Sequence, residues 1–206
     1  MTYRLITTLL VLVISASSCI VVKHDEKPDI KPKAVLSPKA EIPMADILVR
    51  SEKGDMISQI PVDWFFVNLE SQQSADVIAV AVNPEYSLMA VFSKVRTNTH
   101  IEEVVNKEGL IGLARLTADR INRKTAGSAR MDGRLQKIEM GSRDFARFDI
   151  TTTGGALKSR NVVFISQLGH YYQFGLLPMD IKGKPIPPDP EIEKIFRSIL
   201  TTIKFN

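Results

Sequence analysis

RLQKIEM (134–140), FARFDIT (145–151), SRNVVFISQ (159–167) and YYQFGLL (171–177) follow one another with little more than GSRD, TTGGA and LGH between them. Each run is rich in β-branched or aromatic residues, and each spacer has the length and composition of a hairpin turn. Four antiparallel strands in a meander are therefore predicted. Asn161 to Ile165 reads as apolar on both parities, which places that strand centrally.

The flanking segments are helical. After a Pro- and Gly-rich loop, PMDIKGKPIPPDP (178–190), the residues Ile192, Ile195, Phe196, Ile199, Leu200 and Ile203 fall on one stripe. Asp189 is placed to cap this helix and Pro190 to open its first turn. Upstream, Thr99 followed three residues later by Glu102 has the form of a capping box. Ile101, Val104 and Val105 start an apolar stripe that Glu108 and Gly112 fail to continue, and Leu110, Leu113, Ala114 and Ile121 resume it in another register. Glycine costs a helix about 1 kcal/mol relative to alanine. A break near Gly109 is expected, with the second piece running to about Lys124.

Further forward, ADILVRS (45–51) and MISQI (56–60) flank the polar turn at 52–55, and DWFFVNL (63–69) holds the only tryptophan, Trp64. VIAVAV (77–82) and SLMAVFSKV (87–95) pair around NPEY (83–86). Two hairpins, a helix, a meander and a last helix predict an α+β domain, an antiparallel sheet covered by helices, over residues 44–206. This order, opened by GDMISQIPVDWFFVN (54–68) and closed by FRSILTTIKF (196–205), resembles the PsbP-like domain, an α/β/α sandwich also found in the Ran-release factor of yeast and in envelope lipoproteins of the DcrB type. The likeness spans about residues 46–205 and carries no catalytic signature. It implies a non-enzymatic accessory or binding domain, and no functional residues transfer with it.

The N-terminal stretch MTYRLITTLLVLVISASSC ends at Cys19, the only cysteine. A cationic start at Arg4, an apolar run from Leu5 to Ile14 and small residues before the cysteine are the layout of an export signal over residues 1–18. Ala16, Ser17 and Ser18 ahead of Cys19 resemble the bacterial lipobox, with Ala16 and Ser18 where that pattern prefers Leu and Gly or Ala. The likeness implies cleavage there and acylation of Cys19, a lipid attachment in which several chains together hold firmly. An uncleaved anchor helix is the alternative, although Leu5–Ile14 is short for a bilayer needing roughly 20 apolar residues. Ile20, rather than aspartate, follows the cysteine, so by the enteric retention rule the expected destination is the outer membrane, facing the periplasm. Residues 19–43, with prolines at 28, 32, 38 and 43, read as a disordered tether. Its reach is roughly 25–30 Å as a coil and up to ~75 Å if fully polyproline-like.

The chain shows no G-x-S-x-G, S-x-x-K, H-E-x-x-H or phosphate-binding glycine loop. His24, His100 and His170 are scattered, and His24-Asp25-Glu26 in a tether supplies no preorganised metal geometry, so neither metal nor cofactor is expected. The pI near 9.2 would raise nucleic acid as a partner, but export argues against it. Between Leu110 and Arg160 basic residues outnumber acidic ones, and Arg115, Arg120, Arg123, Arg143 and Arg147 are candidates for a face toward an anionic partner. The expected function is a membrane-anchored, non-enzymatic accessory domain that docks on another envelope protein. The alternative is a carrier of a lipid or small apolar ligand in a cavity between sheet and helices.

Overall fold

The computed structural model describes residues 31–35, 39–68, 75–152 and 157–205. Its main sheet has eight strands: β1 (Lys31–Val35), β4 (Phe65–Phe66), β5 (Val77–Val82), β6 (Leu88–Lys94), β7 (Ala129–Met140), β8 (Arg143–Thr152), β9 (Lys158–Ile165) and β10 (Tyr171–Pro178). Their spatial order is β1-β7-β8-β9-β10-β6-β5-β4. A smaller sheet is formed by β2 (Met44–Arg50), β3 (Met56–Pro61) and β11 (Lys204–Phe205), with β3 in the middle. The helices are α1 (Thr99–Lys124) and α2 (Asp189–Thr202).

Strand alternation builds two cores, one on each face of the main sheet. Along β8, Phe145 joins Phe164, Phe174, Phe196 and Ile199 on the α2 side, whereas Ala146, Phe148 and Ile150 meet Leu113, Ala114 and Ala118 of α1 on the other. Phe92, Phe174 and Phe196 stack through the α2-side core, with ring centroids 4.9 and 5.4 Å apart. The small sheet shares this core through Val49, Met56 and Ile60. The result is the expected α+β sandwich, α1 over one face and α2 with the small sheet over the other. The meander holds as predicted, and β9 and β10 are central.

Gly109 carries φ 65° and ψ −149° inside α1, so the helix breaks where the two apolar registers change. An added Cβ there would meet nothing within 4 Å, so the requirement for glycine lies in the backbone conformation alone. Two caps differ from expectation by one residue. Asn98, not Thr99, caps α1, its Oδ1 accepting from the Ile101 amide at 2.9 Å. Pro188 occupies the N-cap of α2 and Asp189 is already helical. The last apolar position, Ile203, is fully buried but lies past the helix, where the chain turns into β11.

The stretch read as a tether contains a strand. β1 runs parallel to β7, with Lys31 opposite Gln136 and Val35 opposite Glu139. A proline within it, Pro32, is tolerated because β1 is an edge strand. Strand periodicity could not reveal it, since the unpaired edge of β7 offers backbone groups to any extended segment.

Candidate functional site

Helix α1 begins after β6 and ends where the turn Thr125–Ser128 leads into β7, so it crosses the sheet on its way. It packs on β7, β8 and β9. The neighbouring part of that face, over β9, β10 and β6, forms the floor of an open groove of about 480 Å³ with the second half of α1 as its wall. That volume is within the roughly 300–1,000 Å³ of small-molecule sites. Val77, Val91, Ile121, Ile150, Leu157 and Leu177 give it an apolar lining.

A polar ladder crosses the floor. Gln173 Nε2 donates to Asn161 Oδ1 at 3.1 Å, and Asn161 Nδ2 donates to Ser159 Oγ at 3.1 Å. Gly175 lies opposite Asn161 in the strand pairing, and a Cβ on it would sit 2.8 Å from Asn161 Oδ1. Glycine is thus what lets this amide lie flat on the central strands. Asn161 is buried and Gln173 half-buried, and Gln173 keeps its carbonyl oxygen and second N–H without a protein partner among the described residues. At the rim, Asp76 accepts from Arg96 at 2.6 Å and from Arg120 at 3.3 Å. Lys94 and Lys124 add two further cations.

The five arginines proposed as one face are divided between the two sides of the sheet. Arg115, Arg120 and Arg123 stand on α1, where Arg115 pairs with Glu108 at 2.5 Å. Arg143 and Arg147 are on β8 with their side chains toward α2. Arg143 donates to the carbonyl oxygens of Thr201 and Ile203, capping the end of α2. Arg147 donates to Asp149 and to both carboxylate oxygens of Glu193 and lies 5.1 Å from the Phe196 ring centre. Period-two alternation separates residues that a linear count of charge placed together. Cys19 and the residues Ala16, Ser17 and Ser18 lie outside the described residues.

Two polar clusters escaped the sequence reading. Arg160, buried on β9, donates to Glu193 at 2.8 Å and pairs with Asp189 at 2.8 Å, fastening α2 to the sheet. Burial alone would raise the Glu193 pKa, but its bonds to Arg147 and Arg160 outweigh that and hold it low. The second cluster surrounds Asp55 in the β2–β3 turn. Asp55 accepts from Ser51 Oγ at 2.8 Å and from the Tyr172 hydroxyl at 2.6 Å, and its other oxygen lies 2.8 Å from His170 Nδ1. Burial opposes its charge, yet the bonds from Ser166, Tyr172, His170 and Ser51 keep its pKa well below the usual range. Burial and the same contact push Tyr172 up to about 12. Ser51 is hydrogen-bonded to the aspartate and not to the imidazole, so the cluster ties the small sheet to β10 and does not reproduce a nucleophile–base relay. No group of three or more potential metal ligands occurs among the described residues, and none of their helices is long and apolar enough to cross a membrane.

Trp64 is in the α2-side core and Gly109 at the helix break, and neither lines the groove. The groove's own residues had a signal in sequence: Ser159, Asn161, Gln173 and Gly175 share one parity, while Val162, Phe164, Tyr172, Phe174 and Leu176 hold the other. Polar residues on one face of central strands conflict with a filled core.

No protein-family profile and no curated protein matches this sequence. Among solved structures, the solution structure of PsbP from the cyanobacterium Synechocystis superposes with a TM-score of 0.58 at 10% identity, covering 78% of this chain and 92% of that one. The fold is PsbP-like. A variant of the protein Mog1 matches with a TM-score of 0.47 at 11% identity, over 79% of this chain and 96% of that one. A Bacteroides thetaiotaomicron protein matches with a TM-score of 0.36 at 13% identity, over 76% of this chain and 47% of that one. At these identities the likeness is one of fold, and the groove has to be read from its own residues.

Proposed function

We propose that this protein is a non-enzymatic binding domain, exported and held to a bacterial membrane through acylated Cys19, and that it takes a small apolar or amphipathic molecule in the α1-side groove. The observation that carries this reading is the ladder Ser159–Asn161–Gln173 on the floor of an apolar groove. Unused amide groups facing an apolar space weaken a core, and they suit a ligand with a polar atom to offer.

Native mass spectrometry of the full chain extracted from membranes tests it. A co-purifying small molecule is expected, and Leu177→Trp, which fills the groove from the sheet side, is expected to lose it while keeping a cooperative melt. Ligand-free protein in every preparation, together with no uptake of a hydrophobic dye that Leu177→Trp suppresses, refutes the groove as a binding place. The anchor is tested separately by Cys19→Ser. Release from the membrane fraction, or arrest as an unacylated precursor by intact mass, supports acylation. Membrane retention of a wild-type protein whose mass shows neither cleavage nor acyl chains refutes it.

The docking reading keeps one observation of its own. Phe65 and Phe66 on the terminal strand β4 are exposed, with Tyr86 packed 5.3 Å from the Phe65 ring. A stoichiometric envelope protein captured by the wild type and lost in Phe66→Ser would favour that use of the domain.

A further inference from the structure

We infer that the groove's occupant is a single-chain amphiphile with a carboxylate head, drawn from the bilayer to which the chain is tethered. This rests on the binding reading above and adds two observations to it, the sign of the charge at the rim and the end of the sheet at which the N-terminal segment joins.

Among the described residues, the charged ones lining the groove are Asp76 against Lys94, Arg120 and Lys124. Asp76 is already engaged by Arg96 and Arg120. Lys124, one turn beyond Arg120, forms no ion pair among the described residues. A groove whose interior is apolar and whose rim has an excess of positive charge is complementary to an apolar chain ending in an anion. A charge-assisted bond from an ammonium to a carboxylate is among the stronger polar contacts available there.

The second observation is topological. Ala129, Thr152 and Leu157 lie at the end of the sheet where β7 starts and β8 finishes, and with Lys124 and Thr125 they line the groove at that end. β1 is parallel to β7, so the start of β1 points toward that same end. Twelve residue steps separate Cys19 from Lys31. A fully extended chain of that length spans at most about 40 Å. Acylation at Cys19 would therefore keep Lys31 within about 40 Å of the bilayer surface, with β1 entering the sheet from the direction of the Lys124 end of the groove. A fatty acid leaving the bilayer would then meet an apolar lining that the tether holds at high local concentration beside it.

Photo-crosslinking of the full chain in phosphatidylcholine nanodiscs tests this, using a diazirine-bearing palmitic acid and the alcohol of the same chain, with labelled peptides mapped by mass spectrometry. The acid is expected to label segments 117–125, 158–161 and 173–178 about tenfold more than the alcohol, the size of one charge-assisted bond. Lys124→Ala should bring the acid down to the level of the alcohol, and Leu177→Trp should remove labelling by both. Equal labelling by acid and alcohol, or an acid signal that Lys124→Ala leaves intact, overturns the carboxylate inference and leaves the groove reading in place. Absence of labelling in all three segments with both probes overturns the groove reading itself.

Discussion

Replacing Glu193 by alanine tests what fastens α2 to the sheet. Glu193 receives Arg147 at 2.7 and 2.9 Å and Arg160 at 2.8 Å. The Arg160 side chain is 2% exposed, and once Glu193 is gone its remaining carboxylate partner is Asp189, whose side chain is 72% exposed. Removing one partner of a buried ion pair costs about 3–5 kcal/mol, because the other charge stays out of water. Glu193 is itself 30% exposed and Asp189 keeps its contact, so the low end applies, about 3 kcal/mol. With an m-value of about 2 kcal/mol per molar urea, the midpoint should fall by about 1.5 M. Trp64 fluorescence is the natural probe, since Trp64 lies in the same core as Ile192 and Phe196 of α2. The paired variant Arg160→Met, Glu193→Leu should recover part of the loss, because it removes the Arg160 and Glu193 charges together, leaves Arg147 its bond to Asp149, and eliminates the buried Arg160 Nη1, which has no hydrogen-bond partner among the described residues. A loss below about 1 kcal/mol for Glu193→Ala, or a paired variant no better than the single one, would show that the α2 contact is apolar and the ion pair incidental.

Two further outcomes follow from the backbone and from the Asp55 cluster. Gly109→Ala should destabilise the chain by about 1–3 kcal/mol in urea unfolding, since φ 65° with ψ −149° is a region that L-residues rarely enter; an unchanged midpoint would mean that α1 straightens without penalty. Asp55 has a depressed pKa in the folded state, so the unfolded chain binds the extra proton, and the contribution is complete above the usual aspartate value near 4 and lost as pH falls below it toward the folded value. Thermal melts between pH 5 and 2 should show this acid limb shallower in Asp55→Asn than in the wild type, and parallel limbs would remove Asp55 as its source.

The elements legible in the sequence were those whose local chemistry and tertiary role coincide. The Ile192–Ile203 stripe, the β8–β10 hairpins and the register change at Gly109 each state in a short window what packing then requires. β1 has no such statement, because its pairing depends on β7, about a hundred residues away. Asn98 took the cap from Thr99 because both residue types suit an N-cap and only the φ/ψ change selects between them. The groove was half legible: Asn161 was grouped with its apolar neighbours, although its amide, paired with Gln173, is the most site-like feature of those strands. The Asp55–Tyr172 and Arg160–Glu193 contacts join residues far apart in the chain, so no window contains them.

β1 also alters how load passes through the domain. If the N-terminus is fixed to a membrane, drag on the body enters β1 at Lys31, and a pull along the strand axis runs along the row of β1–β7 bonds. Bonds loaded side by side share the force, whereas a chain peeled from one end loses them in turn. The five-residue strand would then act as a mechanical fuse: tension that strips it frees the flank of β7 and lengthens the leash, while the α2-side core around Phe145, Phe174 and Phe196 keeps its packing.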